Sequence, residues 1–475
     1  MVDAVVVGAG PNGLAAAITL ARAGLDVTVF EAAATAGGGV RSEELTLPGF
    51  VHDPCSTVMA VTQASPFMAT IDWAAHGVTF VVPDAPVAHA LTPDRSVVLE
   101  RSVEDTAAGL GGDGPAWRRL FGPLVRHVDK LTPWLLGPPL RLTAHPLAQA
   151  WFGLPALLPA TLLARTLFRD EPARALFAGQ AAHSMLPLET PGSAAFGLAL
   201  GIEAHLHGWP LVKDGSQRLS DALVAELSRH GGRVLTGQRI RSLRDLPRAR
   251  AVLLDLSPRG VLEVIGSRLP PRYRRALETY RYGPGVCKVD LALDGPIPWL
   301  DPALARAGTV HLGGTMDEVA ESERAVRGGR VSDRPFVLLV QATRFDPGRA
   351  PEGKHTAWAY CHVPNGFAGN VADTIEQRIE AFAPGFRDLI LARAVRTAPE
   401  MEAYNPNYVG GDINGGLQDL RQLFGRPTLR RDPYAIPVRG LYLCSSATPP
   451  GGGVHGMSGH LAARSALRRE FGVKV

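Results

Sequence analysis

The residues with most chemistry in them stand near the start of the chain. Gly8, Gly10 and Gly13 follow the apolar run Ala4 to Val7, and Glu31 closes the next such run, Val27 to Phe30. In this spacing Gly8 permits a tight turn, Gly10 lets the backbone approach a pyrophosphate, and Gly13 lets the following helix pack close to the strand. Pro11 and Asn12 open that helix, predicted over Asn12 to Ala23 with Gly24 as its stop. Its first turn has unpaired N–H groups and partial positive charge, which suit a diphosphate. Glu31 is placed to accept a ribose hydroxyl, and its charge repels a 2′-phosphate. The glycines alone would mark only a turn; strand, helix, strand and acid in register predict a dinucleotide site.

Two further glycine clusters point the same way. Gly37-Gly38-Gly39-Val40-Arg41-Ser42 follows the ribose acid, so its backbone is expected to pass under the same cofactor with Arg41 near the phosphates or the ring. Near the far end, Gly451, Gly453 and Gly456 repeat the GxGxxG spacing ahead of a helix predicted through Leu467. Alone it suggests a second nucleotide site, but no further strand and acid stand between it and Val475. The expectation is a helix N-terminus aimed at the far end of the first cofactor, where it would stabilise negative charge.

Side chains able to move protons are fewer. His455 follows the terminal glycines and is expected near the reacting end of the cofactor. His52 and Asp53, just beyond the Arg41 loop, are the other candidates for acid or base, although Asp53 equally suits tying down a loop. His183 and Tyr404 are candidates for a substrate cavity, with a packed, satisfied role favoured for both. Lys288, in the alternating run Val286 to Asp290, reads as an outward lysine on a strand. His205 and His207 lack a carboxylate at zinc spacing, so no metal is expected.

The elements that must hold these residues fall into two kinds. A βαβ unit opens the chain, and strands around Arg233 to Leu235, Arg239 to Leu243, Ala251 to Asp255 and Leu441 to Cys444 extend it. Between them, Val78 to Val82, Val87 to Leu91 and Val97 to Leu99 predict an antiparallel meander, and Val103 to Leu206 a proline-rich helical stretch. A strand over Gly285 to Leu293, others near Val310, Phe336 to Gln341 and Thr356 to Val363, and a helix over Asp373 to Phe382 complete a second unit. At 46% hydrophobic and 20% charged residues the chain can bury two cores. A formal charge of +4 with scattered arginines excludes a nucleic-acid surface. Cys55, Cys287, Cys361 and Cys444 form no CxxC, which predicts a reducing compartment, and with no targeting segment before the first strand the expectation is cytoplasmic. Leu142 to Ala164 carries no Asp, Glu, Lys or Arg, but Pro146, Gly153, Pro155 and Pro159 predict a broken pair of buried or interfacial helices rather than a span. Peripheral membrane contact there is one expectation, buried substrate-domain helices the other.

Together the motifs resemble the FAD-dependent phytoene desaturase family, similar in fold to the amine oxidases: Gly8 to Gly13 with Glu31, Gly37 to Ser42, Gly215-Ser216-Gln217, and Gly451 to Gly459. Gly285 to Asp290, Pro296 to Trp299 and Gly410 to Gly416 most resemble the branch named pyridine nucleotide-disulphide oxidoreductase domain-containing protein 2. The resemblance implies an α/β fold with a discontinuous Rossmann-type FAD-binding domain over 1–65, 208–282 and 430–475. An inserted α+β substrate domain with a mixed or antiparallel sheet would span 66–207 and 283–429. It implies a noncovalent flavin held by Gly8, Gly10, Pro11, Asn12, Gly13, Glu31, Gly38, Gly39, Arg41 and Ser42. Ile240 backbone would touch the adenine, and Gly452, Gly453, Val454 and His455 would lie near the ring. The disulphide chemistry in the branch name has no CxxC to support it, and an independent pyridine-nucleotide domain is absent from the pattern. The expected activity is desaturation or isomerisation of a small, largely apolar molecule such as an isoprenoid, with electrons passed to oxygen or a quinone. An amine or amino-acid oxidase, and a flavin-stabilised interaction scaffold, are the alternatives.

Overall fold

A computed structural model describes residues 2–139 and 144–473. Ala4–Val7, Val27–Phe30 and Ala251–Leu254 are buried at every position, as strands of a sheet covered on both faces must be. They join a five-stranded sheet in the order Leu441–Leu443, Ala251–Leu254, Ala4–Val7, Val27–Phe30, Arg233–Leu235, with every neighbour parallel. The first strand is central, so the glycine turn after Val7 leaves from the middle of the sheet's carboxyl edge, where open α/β sheets bind ligands. Helix Pro11–Arg22 covers the sheet, and Met457–Ala466 lies against it so closely that a methyl on Gly459 would stand 1.7 Å from the Asn12 carbonyl oxygen.

A seven-stranded sheet forms the second unit, in the order Ile390–Arg396, Gly285–Leu293, His355–Val363, Val337–Val340, Ala307–Leu312, Ala85–Thr92, Arg95–Leu99. Ala307–Leu312 runs parallel to Ala85–Thr92, and the other pairs are antiparallel. One face packs against Ala372–Glu380, the other under a layer of short helices between Val103 and His207 that buries Trp117, Phe121 and Phe177. Pro123, Pro133 and Pro155 lie inside those helices and keep them short.

Several expectations need correction. Phe80–Val81 does not continue a meander; it pairs with Leu211–Val212 in a two-stranded ribbon, leaving Ala85–Thr92 and Arg95–Leu99 as a hairpin. Around Arg239 to Leu243 there is no strand, only irregular chain leading to a turn capped by Ser242. Ile390–Arg396 is a strand that the sequence did not announce, because its Ala-Arg alternation reads as an exposed edge. Of the uncharged segment, Leu142 and Thr143 lie outside the described residues; the rest forms Pro146–Ala156 and Ala160–Leu167, bent by 103°. No single helix among the described residues is long and apolar enough to cross a membrane.

Candidate functional site

A cavity of about 1620 Å³ runs from the glycine turn of the parallel sheet to the underside of the helical layer. A single small-molecule pocket holds roughly 300–1,000 Å³, so this one has room for two occupants. Its two arms differ in chemistry.

The first arm is built of backbone. Gly8 has φ +100°, and a methyl on Gly13 would stand 2.0 Å from the Gly8 carbonyl oxygen, so the turn and the helix start tolerate no side chain at either place. Gly38 lies on Gly10: a Cβ on Gly38 would stand 3.0 Å from the Gly10 Cα, stacking the second glycine loop on the first. A Cβ on Gly39 would meet the Tyr408 hydroxyl at 2.0 Å. Glu31 anchors both loops, its Oε2 accepting from Ala9 N and its Oε1 from Ala33 N, each at 2.8 Å. Arg41 is buried, donating to the Thr35 carbonyl at 3.0 Å. Gly8, Gly10, Pro11, Asn12, Glu31, Gly38, Gly39, Arg41 and Ile240 all line this arm, and Gly452, Gly453, Val454 and His455 close it from the other side.

Asp255 was not anticipated as a site residue. It ends the strand Ala251–Leu254, lines the cavity, and accepts from Gly13 N at 2.9 Å. Burial raises its pKa to about 7, against the Gly13 N–H and with help from the Glu31 charge. An acid directly after an apolar run, at the carboxyl end of a parallel strand, is the signal that would have found it.

Three buried polar atoms on this wall have no protein partner: Asn12 Oδ1, Arg41 Nε and His455 Nε2. Buried polar atoms are normally paired, so three left open on residues of one cavity wall fit a polar ligand. His455 Nδ1 accepts from Met457 N at 3.0 Å, which turns Nε2 to the cavity side, and burial lowers its pKa to about 4.

The second arm is apolar. Phe196, Leu200, Trp209 and Phe152 come from the helical layer, and Leu338, Val340 and Tyr360 from the seven-stranded sheet. Trp358 stacks on Tyr360 with ring centroids 5.6 Å apart. His183 lines the wall as well as being satisfied, its Nε2 lying 3.1 Å from His311 Nε2. Burial holds its pKa down to about 3. Tyr404 also faces the cavity while donating to the Gly38 carbonyl at 3.3 Å. Glu203 is the one carboxylate of this arm, also unforeseen.

Three candidates lie elsewhere. Asp53 is behind the wall, accepting from Ser42 Oγ at 2.6 Å, Ser216 N at 2.9 Å and Arg349 Nη1 at 2.6 Å. Burial pushes its carboxyl up, but Arg349 and these donors outweigh burial and hold it below the ordinary range. A proton-transfer role therefore has no geometry to support it, and Ser42 serves this cluster rather than lining the cavity. His52, pushed to about 3 by burial and by Lys288, lies 3.8 Å from Asp290 and hydrogen-bonds Thr46. Lys288 is not outward: it is 2% exposed, paired with Asp290, donating to the Asp53 carbonyl at 3.2 Å, and 5.0 Å from the Trp358 ring centre. Gly285–Leu293 is buried at all its positions, so alternation along it carries no inside and outside.

Known proteins can now be set beside this geometry. Residues 6–72 match the family of NAD(P)-binding Rossmann-like domains. Pyridine nucleotide-disulfide oxidoreductase domain-containing protein 2 of Rattus norvegicus is 28% identical, over 98% of this chain and 93% of its own. A hydroxyneurosporene desaturase of Cereibacter sphaeroides is 29% identical over 98% and 97%. A putrescine oxidase structure superimposes with a TM-score of 0.64 at 17% identity, covering 99% of both chains, a likeness of fold. Over nearly its whole length the chain is thus similar to this desaturase and to pyridine nucleotide-disulfide oxidoreductase domain-containing protein 2, and it is an oxidoreductase.

Proposed function

We propose that this chain binds FAD noncovalently in the backbone-lined arm and oxidises a largely apolar molecule held in the other. The segments 1–65, 208–282 and 430–475 would form the cofactor unit, and 66–207 and 283–429 the substrate unit. The observation that carries this reading is the continuity of one cavity from the glycine turn to the apolar walls. The unpaired Asn12 Oδ1, Arg41 Nε and His455 Nε2 fit the group, as does a cradle whose glycines exclude a Cβ. When bound, FAD supplies the two-electron acceptor. The residues do the rest. The N-terminus of helix Pro11–Arg22 takes the diphosphate, Glu31 a ribose hydroxyl, Ile240 backbone the adenine, and Gly452 to His455 the ring end. Phe196, Leu200 and Trp209 exclude water and hold the substrate by its apolar surface. His183 and His455, both kept neutral by burial, are the imidazoles within reach of a proton. Oxygen or a quinone would take the electrons away.

Oxidation of an amine or amino acid is the second reading, for which Glu203 would have to serve in its ionised form as the anchor. Anaerobic bleaching of the visible absorbance of the purified protein tests both. Bleaching by a host lipid extract and not by an amine panel supports the first reading; the reverse supports the second. Bound flavin that neither reduces would favour an interaction scaffold, and colourless protein after FAD is supplied would remove the cofactor.

Access from a membrane surface suits an apolar substrate. Leu147 is 78% exposed, Trp151 54% and Leu154 69%, on one face of the helix whose opposite face buries Ala148, Phe152 and Ala156. We infer that this face rests on a lipid surface beside the apolar arm, which Phe152 and Leu157 line. Flotation with neutral phospholipid vesicles checks it.

A further inference from the structure

Helix Ala194–His207 presents Phe196, Ala199, Leu200 and Glu203 to the cavity, at i, i+3, i+4 and i+7. The stripe is apolar until it ends in a carboxyl. Glu203 has its side chain 9% exposed, and its Oε2 has no hydrogen-bond partner. The nearest cationic candidate, His207 Nε2, is 3.7 Å away, and burial together with Arg101 lowers the pKa of that ring. An acid that folding has removed from water and left without a partner is costly, so such groups call for a ligand.

We propose that Glu203 is a polar subsite at the end of the apolar arm, and that it binds a hydroxyl or carbonyl oxygen on an otherwise hydrocarbon substrate. This rests on the apolar arm being the substrate chamber, as proposed above. The chemistry follows from the surroundings. With its pKa raised to about 8 by burial alone, the carboxyl is mainly protonated at neutral pH, and a protonated carboxyl both donates and accepts. A hydroxyl answers both and a carbonyl oxygen accepts the carboxyl's proton, whereas a pure hydrocarbon leaves the group unpaired. An ammonium would require the charged form that burial disfavours. The walls around it supply shape and apolar area, and Glu203 fixes which end of the molecule lies there.

Binding distinguishes these ligands without turnover. The full-length protein is loaded with the apolar fluorophore N-phenyl-1-naphthylamine at pH 7, and octan-1-ol, octane and octylamine are compared as displacers. Glu203→Leu is expected to weaken octan-1-ol about tenfold and leave octane unchanged, and Glu203→Gln, which keeps donor and acceptor, to stay within about threefold of wild type. Equal affinity of octan-1-ol for wild type and Glu203→Leu, with octane still bound, overturns the subsite and spares the chamber. Loss confined to octylamine, in both variants, overturns it in favour of an amine anchor. If wild type takes up none of the three, the chamber itself falls and the subsite with it.

Discussion

Two groups of buried polar side chains in this molecule are treated in opposite ways. Behind the cavity wall, Arg349 donates from Nη1 to Asp53, from Nε to Asp346 and from Nη2 to the Val212 carbonyl. Asp53 in turn holds Ser42 and Ser216, and Asp346 accepts from Asp214 N at 2.7 Å. Arg349 to Asp53, Arg349 to Val212, Ser216 to Asp53 and Asp214 to Asp346 each join segments more than 130 residues apart. On the cavity side, Glu203, Asn12 and His455 are also buried but each keeps an atom without a hydrogen-bond partner. Burial by itself does not separate structure from function here. Satisfaction does: the paired charges tie segments of the five-stranded-sheet unit to the loop 346–349 beside the seven-stranded sheet, and the unpaired polar atoms lie on the cavity wall.

Arg349→Leu leaves Asp53 and Asp346 buried without their cation, so it should cost about 3–5 kcal/mol of stability, read from urea unfolding. Glu203→Gln should move the other way. Its carboxyl holds its proton to about pH 8 in the folded chain, against an ordinary 4.5, so the native state loses stability as pH rises through that window. The variant escapes that loss and should match wild type near pH 4 and exceed it by up to about 4 kcal/mol at pH 9; a constant difference across pH would contradict the assignment. Gly10→Val drives a side chain toward Asp255 Oδ2, only 2.9 Å from where its Cβ would lie, and blocks the pyrophosphate. Flavin absorbance should vanish from the purified protein, a loss of at least about 100-fold in affinity, and yellow protein would overturn the cradle. His455→Ala should slow reduction of the bound flavin; an unchanged rate would leave His455 a wall residue. Smallest is Trp151→Ser, expected to change stability by less than about 0.5 kcal/mol while reducing vesicle flotation.

Legibility followed range. Gly8, Gly10, Gly13 and Glu31 were readable because strand, turn, helix and acid form one local unit whose geometry needs no distant partner. Asp255 reaches Gly13 and Tyr408 reaches Gly39 from far along the chain, and only the packed sheet and loop bring them there. Lys288 was misread for a related reason: a strand covered on both faces has no solvent side, so the alternation rule had nothing to act on. His52 and Asp53 were close in sequence to the Arg41 loop, yet Val51 N bonds the Arg349 carbonyl at 2.8 Å and that pairing turns the segment behind the wall.

By itself, then, the sequence determined the class of fold, the opening strand-turn-helix with its close-packed glycines and the alternation of two units, because these are written in local periodicity and in glycines that sterics make irreplaceable. Tertiary structure alone decided which buried polar groups are partnered. Pairing depends on where a side chain from another segment arrives, and this is why Asp53 became a strut and Glu203, with no cation within reach of a hydrogen bond, was left facing the cavity.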